Sequence, residues 1–363
     1  MSMKKMKVIK AIGFITSVLI LLAAIGYAYY VHSVKSIWLP DYTVEDYGSR
    51  IIIWDEPAGS SGRSKLDDMN ISYGPFNYNS VTSFGSVITN TEYEDIERTV
   101  DTYTYLYEID RGFESRYYDD QPYIIPYIAE GSDTAVIILP GGGYAFKSMD
   151  GSAGESLEVA DTLNRNGISA FVLHYRSNPY EYPIPALDVQ RAVRYIRFHA
   201  DEFGIDPDRI GLIGFSAGGN AVGTFINQIQ GEDLFPDGYT EDMIDETSDQ
   251  VMFAAMIYPP LSFRENVPML FALFDDDELR DSVRREQILE LTDLYRHISS
   301  QDTPQFIAYG TNDGCVGMDE TVNYINHAEQ EGCSITCVAA EGMGHGFGQQ
   351  YYMNEFIDWL NTL

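Results

Sequence analysis

Arg209-Ile210-Gly211-Leu212-Ile213-Gly214-Phe215-Ser216-Ala217-Gly218-Gly219 decides how the rest of the chain is read. Apart from Arg209, its first seven residues are apolar or glycine, a short run suited to a strand buried on both faces. A serine follows at once, and then small residues open a helix-compatible stretch, Ala217–Gln230. A strand that turns sharply into a helix brings the chain two residues before the serine against the chain two residues after it. A Cβ at either place would collide, and Gly214 and Gly218 remove it. Gly214-Phe215-Ser216-Ala217-Gly218 is therefore a G-x-S-x-G pattern in the strand–turn–helix setting that gives it meaning. Ser216 reads as a nucleophile on a strained turn, with the N–H groups and positive dipole end of the new helix beside its oxygen.

Outward from this turn, short apolar runs alternate with helical stretches. Ala135–Leu139, Ser169–Tyr175, Arg209–Phe215, Val251–Tyr258, Gln305–Tyr309 and Ser334–Ala339 read as strands. Gly154–Asn166, Ala186–Phe203, Ala217–Gln230, Asp319–Glu331 and Gln350–Asn361 read as helices. Such alternation predicts right-handed crossovers and a mostly parallel sheet with helices on both faces, an α/β fold. Residues 261–300 break the rhythm after the Val251–Tyr258 strand, the sixth, and predict a helical insertion, either a lid or a plain surface pair. Asp188, Asp206 and Asp208 read as cap and turn residues.

Pro140-Gly141-Gly142-Gly143-Tyr144 leaves the Ala135–Leu139 strand. Acyl transfer needs donors aimed at a developing oxyanion, and backbone N–H groups reach it where no side chain blocks the approach. Gly142 and Gly143 are the expected donors, joined by the N–H of Ala217. A phosphate-binding loop is disfavoured because neither G-x-G-x-x-G nor a Walker lysine is present. Tyr144 and Phe215 are candidates for the substrate pocket, with a packing role equally open to Tyr144.

A serine hydroxyl needs a base. Of His32, His174, His199, His297, His327 and His345, only the last occupies a glycine-rich loop after the last strand, Gly342-Met343-Gly344-His345-Gly346-Phe347. The imidazole in turn needs a carboxylate to fix its tautomer. Asp313, in Gly310-Thr311-Asn312-Asp313-Gly314, follows the Gln305–Tyr309 strand and is the first choice, with Glu341 and Asp275 as fallbacks. All three residues then sit at C-terminal strand ends, where parallel sheets carry their sites. The order Ser, Asp, His is that of an α/β-hydrolase.

With 55 acidic against 23 basic side chains and a net charge of −32, the surface repels phosphate backbones, which argues against nucleic-acid binding. Lys4, Lys5, Lys7 and Lys10 precede an uncharged run, Ala11–Val31. As a helix it would span about 30 Å, a bilayer core. Tyr27, Tyr29 and Tyr30 fit an interfacial belt, and the lysines predict a cytoplasmic N-terminus. The expectation is a transmembrane anchor over residues 1–32 with the remainder outside the cytoplasm. The alternative is a signal peptide cleaved near Val31-His32-Ser33 and a secreted product. Residues 33–130 read as a stalk and a β-rich extension with strands at Ile51–Trp54, Tyr103–Ile109 and Tyr123–Ile128, and residues 131–363 as the main domain. Cys315, Cys333 and Cys337 form no disulfide framework and no zinc motif. On one strand Cys333 and Cys337 would stand about 13 Å apart, and all three read as small buried hydrophobes.

Pro140–Tyr144, Tyr182–Asp188, Gly204–Ile210 and Gly214–Gly219 together resemble the acetyl-xylan-esterase-like α/β-hydrolases and are similar to the hormone-sensitive-lipase group. The likeness covers about 121–363. It implies a Ser216–Asp313–His345 triad, an oxyanion loop at Gly142–Gly143, no metal or other cofactor, and deacylation of short-chain esters, acetylated carbohydrate among them. Cys315-Val316-Gly317-Met318 departs from the Val-Val-Pro-like run usual after the acid. Two other readings share the scaffold: a peptidase of prolyl-oligopeptidase type, whose propeller the residues before the core would not accommodate, and a non-catalytic anchored adhesion or sensing module, which would typically lack one of the three residues.

Overall fold

The structure, a computed structural model, describes residues 14–28, 50–54, 58, 122–144, 154–177, 180–266, 268–298 and 303–363. Eight strands form one sheet in the order β1-β2-β4-β3-β5-β6-β7-β8. They are β1 (Ile51–Ile52), β2 (Tyr123–Tyr127), β3 (Ala135–Leu139), β4 (Ser169–His174), β5 (Ile210–Phe215), β6 (Ala254–Ile257), β7 (Gln305–Gly310) and β8 (Ile335–Ala340). β1 and β2 pair antiparallel, as do β2 and β4, and every pairing from β4 to β8 is parallel. The expected α/β-hydrolase architecture is thus present, with two antiparallel strands at one edge.

Central strands are apolar on both faces because both faces are covered. Along β3, Ile137 and Leu139 join one core cluster, while Val136 and Ile138 join the other. On the first face lie α2 (Ile184–Phe198), α4 (Ala217–Thr224) and α8 (Met318–Gln330); on the second lie α1 (Leu157–Arg165) and α9 (Met353–Leu360). The short α3 (Ala200–Phe203) follows α2 after a break at His199. Helix α4 runs into a π-helical turn, Phe225–Ile229, where a continuous α-helix to Gln230 is expected from sequence. The insertion is helical, with α5 (Pro268–Leu273), α6 (Asp276–Arg280) and α7 (Ser282–Thr292).

Two expectations need correction. Asp188 is no cap. It lies inside α2, fully buried, with its carboxylate paired to the Arg176 guanidinium at 2.6 Å and accepting the Arg176 N–H at 2.7 Å. Removing one partner of such a pair strands a buried charge, at a cost of about 3–5 kcal/mol. Of the cysteines only Cys333 is buried; Cys337 is exposed because β8 is an edge strand whose outer face meets solvent, and Cys315 is exposed on a loop. The expected anchor lies only partly within the described residues. Residues 14–28 are helical with exposed side chains, about 22 Å of helix at 1.5 Å per residue. Among the described residues no helix is long and apolar enough to cross a membrane, and both ends of the Ala11–Val31 run lie outside them. The Tyr103–Ile109 strand and most of the 33–130 extension also lie outside the described residues.

Candidate active site

Strands β3, β5, β6, β7 and β8 all release their chains at the same rim, and each contributes to one cluster. Ser216 leaves β5 with φ 49° and ψ −118°, a strained conformation for a residue with a Cβ. A Cβ on Gly214 would stand 2.3 Å from the Gly218 carbonyl oxygen, which is the collision that the G-x-S-x-G spacing predicts. Gly218 meets the sheet as well: its Cβ would fall 2.2 Å from the Leu139 carbonyl oxygen, locking the start of α4 against the end of β3.

His345 reaches this serine across the rim. Its Nε2 lies 2.9 Å from Ser216 Oγ, and its Nδ1 lies 2.8 Å from Asp313 Oδ2. The other Asp313 oxygen accepts the Cys315 and Val316 N–H groups at 2.8 and 3.0 Å, so the loop after β7 fixes the carboxylate without a further side chain. The three predicted residues are brought together, and the fallback acids stand elsewhere: Glu341 accepts from the Thr311 hydroxyl, and Asp275 precedes α6. The other described histidines have partners outside the cluster. His174 stacks on Tyr123, His199 contacts Glu202, and His297 and His327 contact backbone carbonyls of Glu290 and Asn323.

The glycine loop after β3 turns through left-handed conformations, with φ 131° at Gly142, 63° at Gly143 and 59° at Tyr144. Gly141 is not free to face a substrate, because its N–H donates to Glu155 Oε2 at 2.8 Å. Gly142 and Gly143, the two expected donors, follow it in the loop, and Ala217, the third, opens α4. Met269 of α5 comes within 3.7 Å of where a Gly143 Cβ would lie, so the insertion reaches the loop. Tyr144 and Phe215 are each about 1% exposed. The Tyr144 hydroxyl donates to Asn220 Oδ1 at 2.7 Å, and Phe215 packs on Tyr258 and Tyr352, so both side chains serve the core.

Sequence reasoning passes over Glu155, Tyr258 and Asn220. Glu155 is buried and accepts the Tyr258 hydroxyl at 2.9 Å through its second oxygen. Burial pushes its carboxyl above the usual range, opposed by the Gly141 and Tyr258 hydrogen bonds and by His345. Tyr258 follows β6 with φ 42°, and its ring meets the His345 ring edge-on at 5.0 Å. Burial, then the Glu155 charge, pushes the Tyr258 hydroxyl far above its ordinary range, so it stays a donor. Two signals were available in sequence: an acid beside Gly154 just before the first helix, and an aromatic residue at the end of a strand. Neither has a chain spacing that points to the serine.

Cys315 Sγ, an Asp313 carboxylate oxygen and a His345 ring nitrogen lie within 4.8 Å of one another, a donor set that could hold a metal ion. Space assembles this set from two loops, which is why chain spacing does not reveal it. Burial and the Asp313 charge push the Cys315 thiol up.

The profile of a family described as BD-FAE matches residues 124–327, which include Ser216 and Asp313. An acetylxylan esterase of Xylanibacter ruminicola is 24% identical over 255 residues, 68% of this chain and 49% of that protein. A probable carboxylic ester hydrolase, LipM, of Mycobacterium tuberculosis is 23% identical over 55% of this chain and 46% of its own length. The chain thus spans about half the length of these curated relatives. Among solved structures, an acetyl ester-xyloside bifunctional hydrolase from Caldicellulosiruptor lactoaceticus superposes with a TM-score of 0.55 at 28% identity, covering 68% of this chain and 86% of that one.

Proposed function

The chain belongs to the BD-FAE family, and on that premise we propose that it is a serine hydrolase of short-chain carboxylic esters, with O-acetyl groups on carbohydrate as the substrate class. The observation that carries the reading is the hydrogen-bonded line from Ser216 Oγ through His345 to Asp313. It supplies a nucleophile, a base in reach of its proton, and a carboxylate that holds the base in the useful tautomer. The carbohydrate part is supported by relatives named an acetylxylan esterase and an acetyl ester-xyloside bifunctional hydrolase.

In the proposed reaction Ser216 Oγ attacks the ester carbonyl carbon while its proton passes to His345 Nε2. The Gly142, Gly143 and Ala217 N–H groups receive the charge that develops on the carbonyl oxygen. Asp313 stabilises the imidazolium without taking its proton. The imidazolium then protonates the departing alkoxide oxygen, the alcohol leaves, and an acetyl–Ser216 ester remains. Water, deprotonated by the same imidazole, attacks that ester, and as the acid leaves the imidazolium returns the proton to Ser216 Oγ. The reading also includes residues 11–31 as a tether that holds the hydrolase outside the cytoplasmic face; the apolar run and the lysines before it support this. Resistance of the native chain to alkaline extraction from membranes checks the tether.

The deciding experiment compares the wild type with Ser216→Ala on p-nitrophenyl acetate and on acetylated xylo-oligosaccharides. The variant is expected to lose kcat on the order of 10⁴-fold or more with the fold intact. A folded variant that turns over at the wild-type rate, or a wild type that no fluorophosphonate labels, would remove the assignment.

A further inference from the structure

We propose that Glu155 is a positioning residue shared by the two halves of the site: one carboxylate oxygen holds the oxyanion loop and the other, through Tyr258, holds the ring of His345. The inference rests on the esterase reading and extends it to a residue outside the serine, acid and base.

Glu155 opens the segment that leads into α1, far in the chain from both loops it touches. Oε2 accepts the Gly141 N–H at 2.8 Å, and a Cβ on Gly141 would fall 3.0 Å from that oxygen and 3.0 Å from Ser216 Cβ. The carboxylate therefore turns the first amide of the loop inward. Gly142 and Gly143, the expected oxyanion donors, follow in left-handed conformations. Oε1 accepts the Tyr258 hydroxyl at 2.9 Å, and the Tyr258 ring stands edge-on to His345 at 5.0 Å. Displacing Tyr258 would remove the wall against which the imidazole rests.

A buried acid that served only as filler would leave an oxygen unpaired or would be replaced by an apolar group of its size. Here each oxygen has one donor. Gly141 can only donate, so a proton on Glu155 would have to sit on Oε1 and force the Tyr258 hydroxyl to reverse. The hydrogen-bond pattern is that of the carboxylate. Its charge acts on His345, so the imidazolium formed during attack has a second negative group near it besides Asp313. The ionisable groups facing Glu155 are Tyr258, Tyr352 and His345, and the Asp313 charge is felt at Tyr258. Neither tyrosine titrates in the working range, since burial pushes both far upward.

Glu155→Gln keeps the shape and the Gly141 acceptor but removes the charge. In the full chain it is expected to lower kcat for p-nitrophenyl acetate by about 10- to 100-fold, with KM within about threefold, because losing the negative charge near the imidazolium and reversing the Tyr258 hydroxyl cost the chemical step and not ground-state binding. The NMR titration of the His345 ring, assigned by loss of its signal in His345→Gln, is expected to move to lower pH by the loss of a neighbouring negative charge. Tyr258→Phe, which keeps the charge and the ring but cuts the link, is expected to lower kcat by only a few-fold and to leave the titration within about 0.3 of a pH unit. Wild-type kcat and an unmoved His345 titration in folded Glu155→Gln overturn the proposal. Should that variant not fold, Tyr258→Phe decides: wild-type kcat there overturns the proposed link. The NMR arm needs no turnover, so an inactive wild type would sink the esterase reading and still leave the charge coupling measured.

Discussion

A Cβ on Gly310 would stand 2.4 Å from the Met343 carbonyl oxygen, so the chain leaving β7 and the chain leaving β8 touch backbone to backbone. The same carbonyl accepts the Asn312 N–H at 3.0 Å, and Thr311 donates to Ala340 at 3.1 Å. The acid follows this contact by three residues and the base by two. Glycine at 310 thus sets the distance between Asp313 and His345 before either side chain is placed. Gly310→Ala is expected to push the loops apart, at a cost of about 1–3 kcal/mol in stability and a visible fall in Tm. Turnover should fall on the order of 10²-fold, since a displacement near 1 Å is enough for that. An alanine variant with wild-type kcat would mean the loops separate without moving the pair.

Asp313→Asn tests the orientation of the base separately from loop shape. The asparagine carbonyl oxygen can still accept the Cys315 and Val316 N–H groups that hold the loop. Its amide nitrogen then faces His345 Nδ1, and a donor there favours the tautomer with the proton on Nε2, where the serine proton must go. The expected result is a loss of kcat on the order of 10³- to 10⁴-fold with a near-wild-type Tm. A large drop in Tm would instead assign Asp313 chiefly to holding the loop.

Tyr144→Phe distinguishes packing from substrate contact. The hydroxyl donates to Asn220 Oδ1, whose amide donates on to the Pro260 carbonyl at 2.7 Å, and both Tyr144 and Asn220 line a small pocket together with Phe263, Leu273 and Leu294. Loss of the hydroxyl leaves a buried acceptor unpaired, a cost of about 1–3 kcal/mol. Calorimetry should register that loss while KM for acetyl esters stays within about twofold. An altered KM at unchanged Tm would return Tyr144 to the substrate pocket.

What could be read in the chain follows from locality. Ala135–Leu139 was legible to the residue because five buried apolar positions stand between turn residues. Ser216 was legible because its two glycines answer a collision within five residues. His345 and Asp313 were legible by elimination, through glycine-rich loops after strands. Glu155 was not, because its partners are backbone and hydroxyl groups contributed by other loops, and no periodicity marks such a meeting. Asp188 was misread for the same reason: its partner Arg176 stands twelve residues away on another element, so a local turn rule had nothing to detect. The second half of the α4 stretch shows the limit of pattern alone, since a π-turn at Phe225–Ile229 keeps the same apolar residues buried as an α-helix would.

Glu320 carries a prediction about pH. It lies buried on α8 and accepts from the Leu261 N–H, from the Ser262 N–H at 2.6 Å and from the Asn266 amide, pinning the root of the insertion to the helix that follows the acid loop. Burial outweighs these donors and pushes its carboxyl up from the ordinary 4.5 to about 8. Unfolded, the group gives up its proton near its ordinary value; folded, it keeps the proton until about pH 8. Between the two the folded state holds more protons, so stability falls as pH rises through that window and levels off above it. Glu320→Gln cannot ionise, and its carbonyl oxygen can still accept the Leu261 and Ser262 N–H groups. The Tm of the wild type relative to this variant should therefore decline steadily from pH 5 to pH 8 and then stay flat. Parallel Tm curves across that range would show that the backbone donors hold Glu320 ionised in the fold at no net cost.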